Sequence, residues 1–270
     1  MIVHQIWIGH KPAPEEWMVT VKDFCKAYGH TYMFWGNNEV KALDLSKYSG
    51  IQDLMDEYEK RENSYKYAGQ ADILRTVILY EQGGIYVDSD SVIVNEQRFD
   101  RFLRDMSSKI FYAWENNEGL IANGVIGCPK GHGYMKKCLE LMPTFAGERK
   151  DKPVWERTGP YFVTAAYNQY KGVYPGEMEI VPKHYFYPQD WHGIDSKDAH
   201  KGKTYDPDTM MFQYGYTTNN MGSHFDGMGL WKKIILALFI VLVLMIVFTK
   251  AGARYFRQYM VKPIQKIGRG

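Results

Sequence analysis

Apolar and polar positions along the first two hundred residues switch repeatedly between two periods. Residues 2–8 alternate and close on Gly9, as a first core strand does, and Thr31–Trp35 closes on Gly36 as a second. Residues 16–28 between them have helical composition, so the chain opens β-α-β. The charged stretch 53–62 favours a helix. Residues 68–82 carry Ile73, Leu74, Val77, Ile78 and Tyr80 at helical spacing and stop at Gly83-Gly84. Ile85-Tyr86-Val87 then reads as a short buried strand that delivers Asp88 at its carboxyl end. Residues 110–114 and Val125–Cys128 fit two further strands, and 134–142 a helix; from Asn168 the chain is loop-rich and aromatic. No linker or repeat interrupts residues 1–230, which are expected to form one α/β domain with its site at the carboxyl ends of the strands.

The pattern changes after Trp231-Lys232-Lys233. Residues 234–248 are apolar on every side, where a buried core helix normally keeps one polar face. The run falls short of the roughly twenty residues that cross a bilayer, but snorkelling lysines and interfacial Trp231 and Tyr255 extend it. The expectation is a single-pass transmembrane helix over 231–253, near the C-terminus, and a basic tail over 254–270. Orientation stays open. Lys250, Arg254, Arg257, Lys262, Lys266 and Arg269 favour a cytoplasmic tail, whereas the first nine residues have neither the basic nor the long apolar region of a signal peptide. A span so near the end fits a tail anchor that leaves the domain in the cytosol.

Composition excludes more than it assigns. With 45% hydrophobic residues the chain buries a substantial core, and a net charge of +2 gives no general case for nucleic-acid binding. Cys25, Cys128 and Cys138 form no C-x-x-C pair, which argues against a disulfide framework or a structural zinc site and for buried thiols.

Two constellations carry chemistry. Asp88-Ser89-Asp90 puts two carboxylates at i and i+2 where a strand bends into a loop, and such hard oxygen ligands suit Mg²⁺ or Mn²⁺ with positions left open for diphosphate oxygens. An EF-hand loop is excluded, because Ile93 and Phe99 stand where it needs glycine and glutamate. A dehalogenase-type phosphohydrolase also follows an apolar strand with D-x-D, but there the motif usually opens the domain. Asp72 and Arg75 share one face of the preceding helix, and by periodicity alone a surface ion pair and a functional pair are equal readings.

Residues 67–94, Y-A-G-Q-A-D-I-L-R-T-V-I-L-Y-E-Q-G-G-I-Y-V-D-S-D-S-V-I-V, resemble the signature of the DXD-containing sugar-binding glycosyltransferases (glycosyltransferase family 32), the family of fungal initiating α-1,6-mannosyltransferases and mannosyl-inositol-phosphoceramide synthases. His4-Gln5-Ile6-Trp7, Thr158-Gly159-Pro160 and Gly222-Ser223-His224 with Trp231 resemble the family's other elements. Leu230 stands where the family has serine, so Trp231 is open to a pocket role or a membrane-interface role.

The resemblance implies a single GT-A domain, Rossmann-like and nucleotide-sugar-binding, and a retaining reaction that uses Mn²⁺ or Mg²⁺. Asp88 would face the donor ribose and sugar, and Asp90 would bind the metal directly. Asp88 and His224 are counted in the metal shell beside Asp90. Asp72 and Arg75 would hold donor-sugar hydroxyls, Ile6, Trp7 and Ile8 would border the nucleobase, and Tyr86 and Asn123 would line the pocket; Asn123-Gly124 also reads as a plain turn. The expected partners are a nucleotide-diphosphate sugar (GDP-mannose or a UDP-hexose), a glycan or lipid acceptor and a membrane, with no nucleic acid. The hexose is mannose, galactose, glucose or GlcNAc. The other readings are a membrane-tethered sugar-nucleotide or glycan binder without turnover, and a DxD phosphohydrolase.

Overall fold

A six-stranded mixed sheet organises the chain, and its strand order explains where the motif ends up. β1 (Ile2–Ile6) pairs in parallel with β2 (Thr31–Trp35) on one side and with β3 (Gly84–Val87) on the other. β3 then pairs antiparallel with β6 (Val125–Cys128), β6 with β5 (Ile110–Ala113), and β5 in parallel with the edge strand β7 (Met178–Val181). The order is β2-β1-β3-β6-β5-β7. A second sheet of two strands, β4 (Ser91–Ile93) and β8 (Met211–Gln213), is antiparallel. The α/β class is as expected, but the antiparallel β6 makes the sheet mixed. This computed structural model describes residues 1–61, 65–116, 119–190, 194 and 196–215, all within the unit Met1–Gly215.

Helices cover both faces. α1 (Glu15–Tyr28) ends on Gly29 at φ 72°, the left-handed cap that glycine accepts without strain, and packs its Val21, Phe24 and Cys25 with Val3, Ile85 and Val87. α4 (Glu96–Asp105), capped by the Asn95 side chain on the Arg98 amide at 3.2 Å, brings Phe99, Phe102 and Leu103 to that same face. The other face is covered by α2 (Ile51–Glu59), α3 (Tyr65–Gln82) and α5 (Gly133–Glu148). The short α6 (Val154–Arg157) and α7 (Pro160–Tyr170) complete this layer.

α3 is the helix that feeds the motif, and it is buried on nearly every side, from Gly69 to Leu79 with only Ala71 half-exposed. It stops at Gly83 and Gly84, with φ 67° and 97°. A Cβ on Gly84 would lie 2.3 Å from the Ile2 carbonyl oxygen, and one on Gly83 would lie 2.5 Å from the Lys130 amide. Two glycines are therefore needed for the helix to turn directly into a strand pressed against β1. Cys25, Cys128 and Cys138 are buried free thiols, as expected.

The single membrane pass is corrected. Among the described residues no helix is long and apolar enough to cross a membrane. α3, with eighteen residues the longest of the fifteen elements named here, carries Asp72 and Arg75 in its middle, which a bilayer core would not accept unaided. The expectations that fall on residues 216–270, namely His224, Trp231, the helix over 231–253 and the tail over 254–270, lie outside the described residues.

Candidate active site

The site forms where β3 ends beside β1. Its first carboxylate, Asp88, is fixed on three sides. Its amide donates to the Gly124 carbonyl at 2.8 Å, its carbonyl accepts from the Gln5 side chain at 3.2 Å, and its Oδ1 accepts from the Tyr86 hydroxyl at 2.6 Å. The chain then turns, with the Ser91 amide donating to the Asp88 carbonyl at 3.1 Å. Between the two aspartates Ser89 points inward, and its hydroxyl donates to the Ile6 carbonyl at 2.9 Å. The expected nucleobase border of Ile6, Trp7 and Ile8 is thereby brought against the aspartate turn. Trp7 is half-buried, with its indole N–H on the Lys11 carbonyl at 2.8 Å.

Asp72 and Arg75 are not a surface pair: both are 6% exposed. Asp72 Oδ1 accepts from the Asn123 side-chain amide at 2.8 Å and faces Arg75 Nη2 at 3.2 Å, while its Oδ2 accepts from the Thr158 hydroxyl at 2.9 Å. The Thr158 oxygen is also 3.2 Å from the Tyr58 hydroxyl. Arg75 reaches on to Asp88 Oδ1 at 3.4 Å, donates to the Asn123 carbonyl, and lies 4.4 Å over the Tyr86 ring. Asp72, Arg75, Tyr86, Asp88 and Asn123 thus form one connected network, and Asn123-Gly124 is part of it and not merely a turn.

Burial sets the charges here. Desolvation raises the Asp72 carboxyl to about 6 despite Arg75, Thr158 and Asn123, which pull it down. Desolvation would lower Arg75, but the neighbouring Tyr86, Asp88 and Asp72 outweigh it and keep the guanidinium charged. Asp72 stays ionised at neutral pH, and a charged, doubly paired arginine stands behind Asp88.

Gln213, on β8, was not found by sequence reasoning. Its Nε2 lies 2.7 Å from Asp88 Oδ2 and 3.4 Å from Asp90 Oδ1. β8 is brought there by its pairing with β4 and by the Tyr214 amide on the Asp90 carbonyl at 3.0 Å. Tyr214 in turn stacks on Trp17 of α1 with ring centroids 4.1 Å apart. Gly124 closes the other side: a Cβ there would stand 2.7 Å from Asp88 Oδ2 and 2.9 Å from Gln213 Nε2. Thr158 was legible only as part of Thr158-Gly159-Pro160, and no signal in the sequence points to Gln213 or Tyr58.

The donor set fits a hard divalent cation. One oxygen of Asp88 and one of Asp90 face the same Gln213 side-chain nitrogen, so both carboxylates aim at one region, and that amide offers a further oxygen on rotation. His224 lies outside the described residues. A second group with ligand chemistry, His184, Asp206 and Asp208, lies at the surface, where Arg98 pairs with Asp208 at 2.9 Å.

Comparison with known proteins agrees with this geometry. The model for the glycosyltransferase sugar-binding region containing DXD motif matches residues 14–107, which include Asp72, Arg75, Asp88 and Asp90. Inositol phosphoceramide mannosyltransferase 3 of Schizosaccharomyces pombe is 26% identical over 176 residues, covering 63% of this chain and 45% of that protein. An uncharacterised glycosyltransferase of Acanthamoeba polyphaga mimivirus is 28% identical over 191 residues, covering 69% of this chain and 72% of its own length. The chain therefore spans less than half the length of the first of these relatives. Among solved structures, the PaToxG glycosyltransferase is 23% identical with a TM-score of 0.46, covering 64% of this chain and 70% of its own. A glycosyltransferase involved in glycosylation of the major capsid of PBCV-1 is 14% identical with a TM-score of 0.43, covering 83% of this chain and 98% of its own. Over residues 14–107 the chain is thus similar to the sugar-binding region of DXD-containing glycosyltransferases, and the aspartates of that region lie in one connected network.

Proposed function

We propose that this chain is a metal-dependent, retaining hexosyltransferase of GT-A type that moves a hexose from a nucleotide-diphosphate sugar to a hydroxyl of a glycan or lipid. The observation that carries the reading is the convergence of Asp88 Oδ2 and Asp90 Oδ1 on one point, with the charged Asp72–Arg75 pair directly behind Asp88. Asp88 and Asp90 would hold a Mg²⁺ or Mn²⁺ ion, which would supply Lewis-acid stabilisation of the departing diphosphate. Asp90 is the nearer of the two to the metal role, since Asp88 Oδ1 is already taken by Tyr86 and Arg75.

The chain's own residues do the positioning. Asp72 and Arg75 hold donor-sugar hydroxyls, with Asn123 and Thr158 fixing the Asp72 carboxylate in one orientation. Ser89 ties the aspartate turn to Ile6, so the base border formed by Ile6, Trp7 and Ile8 and the sugar end move as one body. Tyr86 orients Asp88 toward the ribose and sugar. In the reaction the bond from the anomeric carbon to the phosphate oxygen breaks, and its electron pair leaves with the nucleoside diphosphate. The acceptor oxygen forms its bond on the same face, and its proton passes to the departing phosphate oxygen. The donor is GDP-mannose or a UDP-hexose.

The test is hydrolysis of GDP-mannose and of UDP-glucose, UDP-galactose and UDP-N-acetylglucosamine by the purified chain with Mn²⁺. Asp90→Asn is expected to lower it by at least about a hundredfold, the scale on which loss of a leaving-group stabiliser acts. Hydrolysis of none of these donors with either metal would sink the transferase reading in favour of a sugar-nucleotide binder without turnover.

A further inference from the structure

A second cavity adjoins the donor site, and its walls suit a sugar ring. It encloses about 560 Å³ and is lined by Trp114, Asn116, Pro182, Lys183, Tyr187 and Pro188, among others. That volume lies within the roughly 300–1,000 Å³ of ligand pockets. Trp114, Tyr187 and the two prolines form flat apolar surfaces of the kind on which the C–H face of a pyranose lies, and Asn116 and Lys183 supply polar groups for its hydroxyls.

The backbone joins this cavity to the donor network within a few residues. Trp114 pairs antiparallel with Ile121, and the Glu115 amide donates to the Leu120 carbonyl at 2.8 Å. The returning chain runs straight into Asn123, which binds Asp72 at 2.8 Å, and Gly124, whose carbonyl takes the Asp88 amide at 2.8 Å. Tyr187 is the shared wall. Its ring is 1% exposed and it lines the cavity, yet it feels the charges of Asp88, Glu115 and Arg75. Its buried hydroxyl makes no full hydrogen bond, only a weak approach to the Val125 backbone.

We propose that this cavity is the acceptor subsite, and that it takes a pyranose stacked on Trp114 with its hydroxyls on Asn116 and Lys183. The assignment rests on the transferase reading above, since it makes the ring the acceptor of that reaction. Glu115 has a buried Oε2 without a hydrogen-bond partner among the described residues. Burial raises the Glu115 carboxyl to about 7 although Lys183 opposes it, in keeping with a group short of donors. In this arrangement Trp114 and Tyr187 contact the acceptor, and Glu115 is a positioning residue that acts through Tyr187 and Lys183.

Binding is tested directly, with methyl α-mannopyranoside, methyl β-galactopyranoside and methyl β-glucopyranoside as probes in saturation-transfer NMR on the full chain. At least one methyl glycoside is expected to show contacts, and Trp114→Ala is expected to weaken them about tenfold or more. Glu115→Gln removes the buried charge beside Lys183 while keeping the side chain's size, and it is expected to weaken the same contacts severalfold with no loss of melting temperature. It thereby keeps the test decisive should Trp114→Ala fail to fold. No contacts with any probe, or contacts that neither substitution changes, overturns the subsite. Contacts that both substitutions weaken, in a chain that hydrolyses none of the nucleotide sugars, leave the cavity a sugar site and sink the transferase reading instead.

Discussion

Thr158 shows at the scale of a single side chain how the site holds its charges. Its hydroxyl is one of two neutral donors to Asp72, a carboxyl that burial has raised to about 6. Above that pH Asp72 is charged and holds Arg75; as pH falls through it, the proton goes on and Arg75 loses a partner. Donor turnover is therefore expected to fall on the acid side near pH 6. The sign for stability is opposite: the native carboxyl binds its proton more readily than the unfolded one at 3.8. The ionisation penalty is thus full above about pH 6 and is relieved as pH falls toward 3.8. Thr158→Val removes a hydrogen bond to the charged form, worth about 1.5 kcal/mol, and is expected to move the acid limb up by roughly one pH unit. A kcat/KM profile for donor hydrolysis with the same acid limb in both proteins would refute this. Asp72 and Arg75 could be named from the sequence because they stand one helical turn apart, but their burial could not. Spacing tells which side chains share a face, not what covers that face.

The elements around the site are held by contacts that arise far from the motif. Arg157, fully buried at the end of α6, donates to both oxygens of Glu57 on α2 at 2.9 and 3.0 Å and lies 5.0 Å over the Tyr58 ring. It also donates to the Ala146 carbonyl of α5 at 3.1 Å. Three helices are joined by this one guanidinium, immediately before Thr158. Glu57→Ala leaves that charge buried without its carboxylate and is expected to cost about 3 kcal/mol. Arg61→Ala removes the half-buried second partner of the same glutamate, leaves no buried charge unpaired, and is expected to cost less than about 1 kcal/mol. Urea denaturation of the two variants measures the difference, and equal losses would show that the buried pair is not what joins the helices. Element types were legible where periodicity was long: the β-α-β opening, the helix before the motif and β3, β5 and β6 lie within a few residues of expectation. α4, α7 and the β4–β8 pair were not read: strands of three residues are too short to show a period, whereas α4 carries Phe99, Phe102 and Leu103 at helical spacing and its signal was there to find.

For the whole molecule, the proposed donor site, formed from α3, β3, the segment before β6 and β8, links ligand binding to global stability. A nucleoside diphosphate with Mn²⁺ is expected to raise the melting temperature, the gain reaching about 2.7 kcal/mol at a hundredfold excess over Kd. GDP and UDP are expected to differ, and Asp90→Asn to abolish the response. A shift of equal size in that variant would place the nucleotide elsewhere. What the sequence determined by itself was local: the α/β alternation, the Asp88/Asp90 pair at the end of a buried strand, the paired glycines and the shared face of Asp72 and Arg75. Each of these depends on neighbours within a turn or a strand, and so is written in residue order. Only the tertiary structure decided that Asn123, Thr158 and Gln213 meet Asp72 and the aspartate turn, that Asp72 and Arg75 are desolvated, and that Tyr187 stands between the Asp88 network and the cavity beside Trp114. Those facts depend on strand order and on packing between residues as much as 125 positions apart, and hydrophobic periodicity carries no information about either.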